Sequence, residues 1–281
     1  MKILSITSSQ QNFKRGNLHP TDLAYKKSIQ KGLKDTFNLS CKIEDLESIA
    51  GPVETREIIT KLNPSQYVPG DNFRANFHIH TRASDGKLTP KLFLEMCKAW
   101  SDKMFYKGKS KDELPPFSAA ITDHNEIKSV KETIALISQK PKEYENFRFV
   151  AGCEFLIDGY KKPYSAFEAV GLGFNPFDKA LEPMTHGFSS KNNIDDIPTI
   201  LASGGILSWA HPIYCPDKLN EDFFNFLKTN KIEAVEGNYQ YIDWDMDYVN
   251  EGKKLLDPLM EKFDILKTGG TDSHSSTIFG R

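Results

Sequence analysis

A basic excess, long apolar runs and paired cysteines are all missing from this 281-residue sequence, and each absence closes a class of function. Thirty-six Lys and Arg against thirty-eight Asp and Glu leave a formal charge of −2. Such a balance gives no global attraction to nucleic acid or anionic membranes, so only a local basic groove stays open. No apolar run approaches the roughly eighteen residues of a membrane span. The apolar core of the N-terminal Met1–Ile6 is too short for a secretion signal. The four cysteines, Cys41, Cys97, Cys153 and Cys215, are far apart and form no Cys-x-x-Cys pair. They read as reduced thiols of a cytoplasmic protein, serving packing rather than chemistry. What remains, 39% hydrophobic and 26% charged, is a soluble globular chain with material for a real core. Its length suits one large α/β domain or two ordinary ones.

Residues 1–70 read as an N-terminal extension of unknown role. Lys2–Thr7 suits a short buried strand, and Leu23, Ile29, Leu33 and Phe37 mark an amphipathic helix over Leu23–Phe37. Pro52, Pro64 and Pro69-Gly70 punctuate the rest. From Asn76 onward, short apolar runs suited to buried strands recur near 76–80, 118–122, 148–152, 166–171, 206–210, 233–237 and 265–269. Helical patterns separate most of them. Thr89 as N-cap and Pro90 at the first position begin one helix, with Leu92, Phe93, Met96, Cys97 and Trp100 on one face. Ile127, Val130, Ile134 and Ile137 form another stripe, and further helices are predicted near 194–203, 219–228 and 247–262. This alternation predicts a parallel β/α architecture, a barrel slightly smaller than the eight-stranded kind. The Lys-rich stretch 101–113, ending in Pro115-Pro116, reads as a surface excursion.

Chemistry gathers where the predicted strands end. Phe77-His78-Ile79-His80 places two imidazoles on one face of a strand, and Asp85 follows in a turn marked by Ser84 and Gly86. The next strands end in Thr122-Asp123-His124-Asn125 and Gly152-Cys153-Glu154, and Glu168 lies in the fourth. Later strands end in Ala210-His211-Pro212 and Gly270-Thr271-Asp272-Ser273-His274. In β/α barrels the carboxyl ends of the strands converge on the active-site face. Five of the seven histidines would meet there with Asp85, Glu154 and Asp272. Each alone has a bland reading, as a capping aspartate or a hydrogen-bonded core histidine. Their joint placement favours a metal site.

These motifs resemble, in order, those of the PHP (polymerase and histidinol phosphatase) phosphoesterase family: His-x-His-Thr-x-x-Ser-Asp-Gly, Thr-Asp-His-Asn, Gly-x-Glu, Ala-His-Pro and Gly-Thr-Asp-Ser-His. The resemblance runs from about Phe73 to the C-terminus, which makes 71–281 the catalytic domain. It is closest to the branch of nucleoside 3′,5′-bisphosphate phosphatases and RNA 5′-exonucleases, and Glu236 with Tyr239 is similar to that branch too.

The resemblance implies a distorted seven-stranded (β/α) barrel holding two to three divalent ions of manganese, iron or zinc. By motif, His78, His80 and Asp272 would hold one ion. Glu154 would bridge it to a second, bound also by His211, while Asp85, His124 and His274 would hold the third. Glu168 stands where the family usually has histidine; it changes the charge and softness of the second site and shifts its preference toward manganese or iron. His186, from a loop, is an alternative source of the imidazole or an ordinary surface residue. Clustered ions would make hydroxide available from a bridging water, and Arg82 and Lys87 would orient phosphate oxygens. Lys161, Lys162 and Arg281 are weaker candidates for that role. The expected substrate is a nucleotide, nucleoside bisphosphate or short RNA. Only about thirty residues separate Gly171 from Gly205, where relatives of that branch often carry a sizeable insertion enclosing substrate. A histidinol-phosphatase-like monoesterase, an amidohydrolase and a binding module with a degraded site are the alternatives. No membrane partner is expected, and the oligomeric state is not legible.

Overall fold

A computed structural model describes residues 18–61, 75–105, 117–160, 166–187, 192–239 and 246–275. The Lys2–Thr7 strand, most of the Lys-rich excursion, Lys161, Lys162 and Arg281 lie outside these residues. Helix α1 spans Pro20–Phe37, opened by proline in its first turn and closed by Asn38 in the left-handed conformation. Its Tyr25, Ile29 and Leu33 recur at a helical spacing of four and are all buried. Helix α2, Pro52–Lys61, is seated on α1 through Asp22, whose carboxylate accepts hydrogen bonds from the Val53 and Glu54 amides.

Eight strands follow: β1 Ala75–Asn76, β2 Phe117–Ile121, β3 Phe147–Asp158, β4 Phe167–Leu172, β5 Asn192–Asn193, β6 Ile206–Trp209, β7 Ala234–Val235 and β8 Leu266–Lys267. Seven form one path in the order β1-β2-β3-β4-β6-β7-β8, and β5 pairs with the end of β3. Between them run α3 (Pro90–Phe105), α4 (Lys128–Gln139), α5 (Ile197–Ala202), α6 (Glu221–Thr229) and α7 (Met246–Phe263). Thr89 caps α3 as predicted, accepting from the Leu92 amide. Within α3 the buried side chains among the described residues are Phe93, Leu94, Cys97 and Ser101, while Leu92 is 39% exposed.

The sheet is curled. Ala75, Ala120, Val150, Val170, Leu172, Ile206 and Ala234, from six different strands, join Ile59 of α2 in one apolar cluster. A flat sheet cannot bring its first and sixth strands into one such contact. β1 and β8 form no ladder with each other, but the segments that follow them meet. Phe77 donates to the Gly269 carbonyl (3.2 Å), His80 to that of Ser273 (2.9 Å) and Ser273 to that of His78 (3.3 Å). Helix α2 covers the end of the curl where the parallel strands begin: Thr55 lies under Gly173, Pro52 beside Gly204, and Arg56 pairs with Glu233.

Three expectations change. The sheet is not wholly parallel: β4 runs antiparallel to both β3 and β6. The connection from Asp158 to Phe167 is too short for a crossover helix, and a short connection returns a chain antiparallel. β3 does not end at Glu154 but continues to Asp158, because β4 pairs with it as far as Ile157↔Phe167. His78 and His80 lie just beyond β1, on a segment held by the isolated Ile79↔Ser273 bridge and by the Thr122 amide, which donates to the Ile79 carbonyl.

Residues 18–61 share the core of the remainder. Leu33, Leu46 and Ile49 pack with Phe93, Phe147 and Phe149. Leu33→Ala is therefore expected to destabilise the chain by about 2–5 kcal/mol, read as an earlier midpoint in a single urea transition followed by fluorescence of the buried Trp209. An unchanged midpoint would show that this helix contributes nothing to the common core.

Candidate metal centre

Glu154 is where the strand ends converge. Its carboxylate is fully buried, and four imidazoles surround it. His78 Nε2 is 3.1 Å, His80 Nε2 3.3 Å and His124 Nδ1 3.2 Å from Oε2, while His211 Nε2 is 3.0 Å from Oε1. Asp272 Oδ1 lies 2.9 Å from His80 Nε2 and 3.4 Å from His78 Nε2. Asp85 reaches His274 Nε2 at 3.1 Å and His80 Nδ1 at 3.5 Å. Glu168 spans His211 (3.3 Å) and His124 (3.8 Å) with its two oxygens.

Each donor is placed by a local device. The antiparallel direction of β4 brings the start of that strand, and so Glu168, to the end of the sheet where the parallel strands finish. His124 bridges Glu154 beyond the end of β2. His211 (φ 29°) and Asp272 (φ 48°) both occupy the left-handed region, as does Asn125 (φ 47°) beside His124. Strain of this kind persists only where the surroundings over-determine it. A Cβ on Gly270 would overlap His78, so the strand-end segments carrying His78 and Asp272 lie flush because residue 270 has no side chain. Asp123 shapes the turn to Asp85 by accepting from the Thr81 amide (2.6 Å), the Thr81 hydroxyl (2.7 Å) and the Ser84 hydroxyl (2.8 Å).

The electrostatics follow from this packing. Burial opposes a charged His78, but Glu154, Glu236 and Asp272 outweigh it and raise its pKa well above the ordinary value. His80 is likewise opposed by burial yet pushed up to about 9 by bonds to Asp272 and Glu154. Burial works against the charged forms of Glu154 and Asp272 too, but the neighbouring His78 leads the groups that hold both far below the usual carboxylate range. Burial itself lowers His124. Burial, reinforced by Glu154, lifts Glu168 to about 7.

The donor set fits divalent ions. Four groups, each with one donor atom per residue, lie within 4.8 Å: His80-Asp85-His124-His274, His78-Glu154-His211, His78-His80-Asp272 and His124-Glu154-Glu168. Atoms bound to one ion at about 2.1 Å stand within about 4.2 Å of one another, close to this spacing. His78 Nε2 and His80 Nε2 face each other at 3.1 Å, a separation that needs a shared proton or a cation between lone pairs. Imidazole and carboxylate together suit zinc, manganese or iron.

All nine residues singled out as ligands thus occur in these groups, with two differences from the expected partition. His80 and His78 each join a second group, with Asp85 and with His211 respectively, and Glu168 falls with His124 rather than His211, which puts His124 in two groups. His186 is exposed and in none of them. Arg82 and Lys87 are exposed on the turn that carries Asp85, and the Arg82 guanidinium donates to the Lys87 carbonyl (3.1 Å). Sequence reasoning missed the parts played by Asp123, Glu236 and Tyr239. Glu236 accepts from His78 Nδ1 (2.9 Å), and the Tyr239 hydroxyl donates to Asp272 (2.8 Å).

No family model matches the sequence, and no curated protein does. Solved structures do match. One, provisionally assigned as a metal-dependent phosphoesterase from Bifidobacterium adolescentis, shares 15% identity over 71% of this chain and 87% of its own, with a TM-score of 0.51. Another, an amidohydrolase from Chromobacterium violaceum that holds sulfate and no metal, shares 16% identity over 74% of this chain and 90% of its own, with a TM-score of 0.53. The fold is therefore one that these two hydrolases share.

Two outcomes are expected. Ions must displace the protons that the empty centre holds, so zinc binding at pH 7 should release about one proton or more. Since His80 titrates near 9, affinity should fall as pH is lowered from 9. Calorimetry in two buffers of different ionisation enthalpy reads this directly, and binding without proton release would contradict it. Gly270→Ala should weaken zinc binding about tenfold or more by displacing His78, measured by chelator competition. An unchanged affinity would mean that the segments part without moving the ring.

Proposed function

We propose that the chain is a metal-dependent phosphoesterase of PHP type, its sheet completing a distorted seven-stranded barrel around two or three divalent ions. The observation that carries this reading is the ring of four imidazoles on one buried carboxylate, Glu154. Ions bound there would lower the pKa of a coordinated water and offset charge on phosphoryl oxygens during in-line displacement.

The chain's own residues do the rest. Glu154 faces both the His78-His80 pair and His211, so it would help hold ions on either side of its carboxylate. Asp85 and His274 are partly exposed and form the open side of the centre, where substrate enters. Arg82 and Lys87 flank that side and orient the phosphate. Glu168 makes the ions near His124 and His211 harder in preference, toward manganese or iron. The order of the strand-end motifs supports a nucleotide, nucleoside bisphosphate or short 5′-phosphorylated RNA as substrate.

The Chromobacterium neighbour makes amide hydrolysis the second reading. Against it, the residue that faces both the His78-His80 pair and His211 is a carboxylate, Glu154.

With added manganese, the protein is expected to release phosphate from one member of a panel of a nucleoside 3′,5′-bisphosphate, histidinol phosphate and a short 5′-phosphorylated RNA. Asp272→Asn should lower that rate about 100-fold or more, and chelation should abolish it until manganese is restored. Turnover of an amide substrate instead, or metal-loaded protein silent on the whole panel, would reject the reading.

A further inference from the structure

Among the described residues β7 supplies no member of the four metal groups, yet the residue that follows it touches two ligand segments. Glu236, the residue after β7, is buried, and its amide donates to the Trp209 carbonyl of β6 (2.9 Å), so its side chain is anchored by the sheet. The carboxylate reaches two different ligand segments. His78 Nδ1 stands 2.9 and 3.1 Å from its two oxygens, and the His211 amide donates to Oε2 at 2.8 Å.

We propose that Glu236 is a positioning residue of the metal centre, which fixes the ring and tautomer of His78 while tethering the left-handed turn at His211. With Nδ1–H donated to Glu236, His78 can offer only its Nε2 lone pair, the atom that faces Glu154, His80 and Asp272. The tether acts on a residue whose φ of 29° is costly and which precedes Pro212, so the backbone needs an external hold. Three residues on, Tyr239 does the same for Asp272. Its hydroxyl takes Oδ2, leaving Oδ1 turned toward His80 and His78. One short segment after β7 thus orients donors from three separate parts of the chain.

The inference rests on the reading of the centre as a metal site, and zinc binding tests it apart from catalysis. A Gln at 236 puts an NH2 where either Oε1, the nearer partner of His78 Nδ1, or Oε2, which takes the His211 amide, now accepts, so one donor loses its better acceptor. Glu236→Gln is expected to lose about 10–100-fold in zinc affinity, with Glu236→Asp recovering part of it. A Glu that merely filled space would lower the urea midpoint of the metal-free protein and leave affinity unchanged. In zinc-loaded wild type, His78 should also show a slowly exchanging Nδ1 proton by NMR, which needs no variant to fold. Wild-type zinc affinity in Glu236→Gln, or a His78 Nδ1 proton that exchanges freely, would overturn this inference alone. A wild-type protein that takes up no zinc would overturn the metal-site reading with it.

Discussion

A fully buried carboxylate ringed by four imidazoles is the constraint from which the rest of this structure follows. Removing an ionised carboxylate from water costs several kcal/mol even after relaxation, and Glu154 is placed where no solvent reaches it. The imidazoles repay that cost only in a charged or cation-bound state. In the metal-free protein the answer is protons: His78 and His80 are held far above their ordinary range. With divalent ions the same lone pairs turn from acids into ligands. Proton and metal would therefore compete for one set of nitrogens, and either cation would offset the buried carboxylate charge.

Bringing so many donors to one point demands departures from regular structure. A purely parallel sheet would carry the beginning of β4, and Glu168 with it, to the far end of the curl. The reversal of β4 puts it beside Glu154 instead. Two ligands, His211 and Asp272, sit in left-handed backbone, and Gly270 permits the closest approach of two ligand segments. Glu236, Asp123 and Tyr239 each hold a ligand segment from behind. Strain and unusual burial gather at one end of the sheet, while α2 and small apolar side chains close the other. Such a division is what separates a functional face from a stabilising one.

The sequence made much of this legible because metal donors are chemically conspicuous and strands leave a simple apolar trace. All seven strands of the main path overlap the apolar runs that foretold them, and the histidine and carboxylate positions after those runs come together in space. Direction was harder to read. Periodicity is blind to whether a strand runs up or down, and only the shortness of the connection between Asp158 and Phe167 carried that information. Strand length misled for a related reason, since the far half of β3 is defined by its partner β4 rather than by its own residues. Glu236 went unassigned because an isolated glutamate after a two-residue strand has no local signature. Its role exists only through the two ligand segments it meets in space, His78, 158 positions away, and the His211 amide. Residues 18–61 carried a clear helical stripe at Ile29 and Leu33, but nothing in that stripe said which surface it would cover.

Under the function proposed, charge also fixes the order of events. Asp85, Glu154, Glu168, Glu236 and Asp272 crowd one end of the sheet, and the cations nearest in sequence, Arg82 and Lys87, stand on an exposed turn where solvent weakens them. A phosphate ester approaching the metal-free centre would meet a carboxylate-rich surface whose buried counter-charges already face one another. Two exposed side chains cannot outweigh that repulsion at contact distance. The ions must therefore precede the substrate, and they must grip it as well as activate water, because the protein has committed its own buried charges to holding them. A centre built this way gains its affinity for phosphate only when loaded, which ties substrate recognition to metal occupancy rather than to a separate basic pocket.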